Sequence, residues 1–211
     1  MIATRFCVPV VAVASVLAPC ASLAAEPDTA TPPATFAATG YYYAMRDEPA
    51  FAVFVTALQR GPLRLEARYN YEARAATSIF AGYAWSGGED VAWSVTPIIG
   101  GLFGSARGVI PGVEASVSWR QLDLYVEAEY VHDLEDSKAS YFYAWTEIGW
   151  RPVEPLRIGL VGQRTRIVSN DRELQRGVFA QLTLGSVTLG LYAFNPESAS
   201  RYVILSLGMA L

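Results

Sequence analysis

The chain has 211 residues, of which 52% are hydrophobic and 12% aromatic, but only 17% are charged, with a formal net charge of −4. Soluble domains carry about 25% charged residues, so this is thin cover for a water-exposed surface, and the acidic balance excludes a basic nucleic-acid interface. Lys138 is the only lysine and the other fifteen basic residues are arginine, whereas soluble surfaces use lysine freely.

The N-terminus reads as an export signal. A short basic start, MIATR, precedes the apolar stretch FCVPVVAVASVLAPC and the small residues ASLAA. That order predicts a signal peptide over residues 1–25. Cys7 and Cys20 both lie within it, so the remaining chain has no disulfide or thiol chemistry. Residues 26–37 hold three prolines and little apolar content, and are expected to form a disordered periplasmic leader.

From residue 38 to 211 no apolar run is long enough for a transmembrane helix. What repeats is alternation, broken by short turn signals. It predicts twelve strands: 38–46, 50–60, 62–72, 75–86, 89–104, 108–119, 121–132, 139–151, 155–167, 174–184, 186–195 and 200–211. The count becomes ten if 38–46 does not pair. Most strands approach the roughly 9–11 residues that a tilted strand needs to cross a bilayer.

The faces sort in chain order. On 62–72, Leu63, Leu65, Ala67, Tyr69 and Tyr71 oppose Arg64, Glu66, Arg68, Asn70 and Glu72. The next two strands put Trp85 and Trp93 on the apolar face and Ser78, Gly82, Ser94 and Gly100 on the other. Pro97 and Pro111 mark bulges or ends. On 108–119, Val113, Ala115, Val117 and Trp119 oppose Glu114, Ser116 and Ser118, and Arg120 keeps the polar parity. Asp123, Tyr125, Glu127 and Glu129 oppose Leu122, Leu124, Val126, Ala128 and Tyr130. Tyr141, Tyr143, Trp145 and Glu147 share the polar parity, as does Arg157, while Trp150 has the apolar one.

Alternation alone does not say which face meets water. Three features point to lipid on the apolar face. Trp85, Trp93, Trp119 and Trp150 all have apolar parity and gather toward one end of their strands, as in an aromatic girdle. The polar face is rich in small residues, which suit a crowded lumen. An even strand count lets the sheet close without a free edge. The fold expected is therefore all-β, an antiparallel transmembrane β-barrel of about twelve strands over residues 38–211.

With its signal peptide, even strand count, girdle and alternating C-terminal strand (Val203, Leu205, Leu207, Met209, Leu211), the chain resembles Gram-negative outer-membrane β-barrel proteins. The resemblance is architectural, and the terminal Leu211 stands where such proteins usually end in an aromatic residue. It implies residence in the outer membrane, contact with outer-membrane lipid and lipopolysaccharide, delivery by the barrel assembly machinery, and a monomer.

Parity places Arg64, Glu66, Arg68, Glu72, Glu114, Arg120, Asp123, Glu127, Glu129, Glu147 and Arg157 inside. Two readings of these charges stay open. One is a narrow passive channel for small polar solutes, biased to cations because acids outnumber bases. The other is an ion-paired filling that makes a non-conducting, structural barrel.

Arg164, Arg166 and Arg176 carry apolar parity near the outer rim, where they could clamp lipopolysaccharide phosphates. The competing reading is a bulge at Gly162 that turns Arg164 and Arg166 into the lumen. His132, the only histidine, raises a lipid hydrolase, but the position two residues on is Leu134 and the nearest serine is Ser140. A general base must reach its nucleophile, so no catalytic residue is assigned. One histidine and no cysteine in the body give no metal-ligand spacing, and no cofactor motif occurs.

Overall fold

Residues 32–167 and 172–211 are described by the structure, a computed structural model. The signal-peptide reading of residues 1–25 and the first half of the leader lie outside the described residues. Thirteen strands follow one another: β1 (Ala34–Met45), β2 (Phe51–Arg60), β3 (Leu63–Tyr69), β4 (Ala76–Tyr83), β5 (Trp85–Gly87), β6 (Val91–Gly104), β7 (Gly108–Trp119), β8 (Leu122–Asp133), β9 (Tyr141–Val153), β10 (Leu156–Ile167), β11 (Arg172–Leu184), β12 (Val187–Phe194) and β13 (Tyr202–Ala210).

Neighbours in sequence pair antiparallel except β4 and β5; β1 also pairs with β13, and β4 pairs with β6. Twelve strands thereby close into a ring, and β5 lies on β6 alone. β4 and β5 together are the predicted strand 75–86, broken in two. The β4–β6 ladder stops at Gly82↔Ile98 and the β5–β6 ladder begins at Trp85↔Val95. Pro97 sits at the gap, and its missing N–H cannot continue the ladder. Pro111 acts similarly: the β7–β8 pairing is interrupted between Val109↔His132 and Gly112↔Glu129, with the register unchanged on either side.

β1 starts at Ala34, so the last four residues predicted as leader are strand instead. The cause is the seam. The Phe36 N–H donates to the Leu211 carbonyl at 2.9 Å and the Leu211 N–H returns a bond to Phe36 at 2.8 Å. The leader's end is thus held by the last residue of the chain.

The ring has two unlike rims. The lower rim carries both described ends of the barrel and tight turns at Gly61, Arg120 and Gly185, each with positive φ. The upper rim carries longer loops such as 70–75, 134–140 and 195–201. The outer surface is apolar along every barrel strand: Leu65, Ile79, Ile99, Leu124, Ile148, Leu160, Leu191 and Leu207 are all exposed. The carboxylates Glu66, Glu127, Glu129 and Glu147 are buried inside. This reverses the arrangement of a water-soluble protein, and a continuous apolar band of this kind is a lipid-facing surface. Trp85, Trp93, Trp119 and Trp150 lie exposed on it close to the lower rim. The class of protein that these features define is the antiparallel transmembrane β-barrel.

Candidate functional site: the barrel interior

Inward parity brings the charged residues of β3, β7, β8, β9 and β10 into one interior, at three levels. The lowest is open. Two cavities of about 550 and 530 Å³ lie toward the lower rim and share Ser116 and Ala210 in their walls. The first is lined in part by Asp123, Arg151 and Thr188, the second by Arg64, Glu114 and Tyr125.

The middle level is ionic. Arg68 Nη1 lies 2.8 Å from Glu129, 3.3 Å from Glu127 and 3.4 Å from Glu72, and its Nε binds Glu66. Arg64 bridges Glu66 and Glu114, the latter at 3.3 Å. The Arg68 guanidinium is sandwiched between the rings of Tyr71 at 4.4 Å and Phe80 at 4.3 Å. Such stacking orients a guanidinium whose edges are then free to face carboxylates. Ser78 donates to Glu72, and Tyr71 donates to Glu127.

A second centre gathers on Arg157. It holds Asp123 at 2.9 Å, Gln181 at 2.9 Å, and Glu147, with its guanidinium 4.6 Å from the Phe179 ring. Trp145 Nε1 donates to Glu147 at 3.2 Å. Buried charges persist only when paired and hydrogen-bonded. Arg157 meets that condition, and Arg68 meets it through Nε and Nη1, while its Nη2 lies 4.0 Å from Glu114 with no hydrogen bond among the described residues.

The upper level is aromatic. Trp145 packs edge-on against Tyr192 at 5.8 Å and leans on Phe194 at 5.5 Å. Phe194 stacks on Tyr202, and Tyr43 on Phe51, each pair at 4.8 Å. Tyr202 also bonds Gln163 and Gln175. Trp145 is 1% exposed and Tyr143 0%, and they pair in register with Glu127 and Glu129, so aromatic side chains fill the lumen from the ionic level up toward the upper rim.

Of the residues expected inside, Arg64, Glu66, Arg68, Glu72, Glu114, Asp123, Glu127, Glu129, Glu147 and Arg157 are buried or nearly so. Arg120 is not. It is exposed in the β7–β8 turn with φ 54°, and its guanidinium lies over Trp119 at 4.9 Å. Parity counts only while the chain stays extended, and a left-handed turn ends the count. The same reason reverses Tyr71. Asn70, at φ 61°, leaves β3, and Tyr71 turns from the expected apolar face into the lumen.

There is no bulge at Gly162. The β10–β11 register runs unbroken from Leu156↔Leu182 to Arg166↔Arg172. Arg164, Arg166 and Arg176 therefore keep outward parity, while Gln163, Thr165 and Gln175 between them are buried inside. His132 is exposed outside and stacks on Tyr130, whereas Ser140 is buried and accepts from the Asp133 N–H at 3.1 Å. The two stand on opposite sides of the wall and form no dyad. Among the described residues no group of His, Asp or Glu has the arrangement to hold a metal ion. The interior aromatics Tyr43, Phe80, Phe179, Tyr192 and Tyr202 were missed from the sequence. Their inward parity was the available signal.

The chain matches no protein-family model and no curated protein. Among solved structures it is similar to a "KdgM porin", with TM-score 0.61 and 11% identity over 82% of this chain and 97% of that one. A "KdgM porin in complex with disordered oligogalacturonate" gives 0.60 and 12% over the same shares. OccK5 (OpdH) of Pseudomonas aeruginosa gives 0.45 and 8%, over 81% of this chain and 63% of that one. At these identities the two KdgM porin matches show a likeness of fold alone, that of an antiparallel β-barrel.

Proposed function

We propose that this chain is a narrow passive channel of the outer membrane for small polar solutes, which rests closed and favours cations. One observation carries the reading: the lower interior is polar and holds two cavities, and among the described residues it is shut above by side chains, Tyr71 and Glu72 of the 70–75 loop included. Side chains change rotamer far faster than a plug domain unfolds, so this closure is compatible with transient passage. The similarity in fold to KdgM porins supports a channel.

The cation preference follows from sign. Glu66, Glu72, Glu114, Asp123, Glu127, Glu129 and Glu147 face Arg64, Arg68 and Arg157 in the interior. One of the similar porins was solved with oligogalacturonate, an acidic saccharide. An interior in which carboxylates outnumber guanidiniums repels such a polyanion. The ring closes within one chain, so the pore needs no second copy to form its wall.

A second reading, the non-conducting structural barrel, is favoured by the four carboxylates that Arg68 holds directly. Single-channel recording in planar bilayers separates the two. The channel reading expects small, discrete steps with potassium preferred over chloride. Silence from both the native chain and a Trp145→Ala variant would overturn it and leave the structural reading.

A further inference from the structure

Three guanidiniums on the lipid side of the wall have no counterpart in the interior network. Arg164 and Arg166 continue the outward row of β10 above Ile158 and Leu160, and Arg176 lies beside Gly162 on β11. None of the three forms an ion pair with another described residue. Arg164 Nε is shielded from solvent and donates to nothing among the described residues. A shielded donor without an acceptor is costly, and a charge facing hydrocarbon more so.

The surface between them is shaped. Gly162 pairs with Arg176 on one side and Thr146 on the other, and Arg164 pairs with Ala144 and Leu174. A side chain added at Gly162 would meet no atom within 4 Å. Gly162 and Ala144 thus form a shallow floor that the arginines border.

The height fits a headgroup. Arg166 pairs with Phe142, which pairs with Tyr130, and both rings are exposed near the upper rim. Ile158 pairs with Trp150 of the lower girdle. The eight residue steps from Ile158 to Arg166 rise roughly 20 Å after the tilt of such strands. That leaves Arg166 at the upper interface, with Arg164 and Arg176 one and two steps deeper, within reach by snorkelling.

We propose that Arg164, Arg166 and Arg176, around the open floor at Gly162 and Ala144, bind the phosphate groups of an anionic glycolipid of the outer leaflet, as in lipopolysaccharide. The site rests on the outer-membrane reading above but not on conduction. Arginine suits it because its planar fork meets phosphate oxygens bidentately, and the glycolipid's acyl chains would lie on Leu160 and Val178, which pair one step below Gly162 and Arg176.

The test is titration of the purified, refolded chain in detergent with lipid A, read by native mass spectrometry. The partners are dephosphorylated lipid A, inorganic phosphate and the variant R164Q/R166Q/R176Q. Lipid A is expected to be retained, and the dephosphorylated lipid to bind about tenfold more weakly or worse, since each charge-assisted bond lost is worth roughly 1.5–3 kcal/mol. The triple variant should lose as much, and Arg60→Gln at the opposite rim should lose nothing. Equal retention of the two lipids by the native chain overturns the proposal, whether or not the variant folds. Displacement of lipid A by millimolar inorganic phosphate would reassign the site to free phosphate and overturn the lipid. Loss of conductance with lipid A binding intact would strike the channel reading alone.

Discussion

Arg68 Nη1 reaches Glu129 Oε1 at 2.8 Å across the lumen, between β3 and β8, which are not neighbours in the ring. The same nitrogen lies within reach of Glu72 and Glu127. One side chain therefore ties distant parts of the wall together through the interior.

Its removal should be severe. Arg68→Met keeps much of the volume but leaves Glu66, Glu72, Glu127 and Glu129 without their shared cation. Breaking a buried pair from one side costs about 3–5 kcal/mol. Urea unfolding of the barrel in vesicles should show that loss. Adding Glu127→Gln and Glu129→Gln should recover part of it, and an unchanged midpoint for Arg68→Met would show that the network carries little stability.

Trp145→Ala addresses the closure. The indole fills the upper lumen against Tyr192 and Phe194. Its loss should cost about 3–5 kcal/mol as a cavity forms, and should raise single-channel conductance or open probability. A variant that is less stable yet no more conductive would place the constriction elsewhere.

Selectivity should reside where the cavities are charged. Glu114 and Asp123 line them. Glu114→Gln with Asp123→Asn, made in the Trp145→Ala background, should shift the reversal potential in a potassium chloride gradient toward zero. No shift would mean that ions bypass these cavities.

Deleting Leu211 removes both bonds that the seam makes with Phe36. At about 0.5–1.5 kcal/mol each, the loss should lower the temperature at which the barrel unfolds in dodecyl sulfate gels without abolishing folding. Complete failure to fold would assign the last residue a role in assembly beyond its ladder bonds.

Four of the tryptophans should report depth. Trp85, Trp93, Trp119 and Trp150 are outside near one rim and Trp145 is inside. Lipids brominated near the headgroup should quench most of the emission, and lipids brominated at the chain ends should quench less. The reverse order would place the girdle in the bilayer centre.

Much of this molecule could be read before it was seen, because a strand's period of two survives burial on either side. The wall and the sorting of its two faces follow from that period, and the inversion from the girdle of Trp85, Trp93, Trp119 and Trp150 on the apolar face. What failed did so where the chain stops being extended: Arg120 and Tyr71 both follow or occupy left-handed positions. The break between β4 and β5 was hidden because a proline acts on its neighbour's ladder and not on its own strand's alternation. Partners across the lumen were invisible for another reason. Arg68 and Glu129 are 61 residues apart, and no local pattern encodes which residue faces which across a ring.

The Gly100 and Phe80 contact gives the network a further meaning. A side chain at Gly100 would collide with the Phe80 ring, and that ring is one of the two plates that hold the Arg68 guanidinium. The arginine is thus set at a fixed reach from β8, and the carboxylates can be answered only if the cylinder has the circumference seen here. A nascent barrel that added a hairpin, dropped one, or slipped one strand in register would leave several negative charges inside without their guanidinium. The interior salt network then acts as a gauge of assembly, penalising every wrong closure while the backbone ladder, which fits any number of strands, cannot.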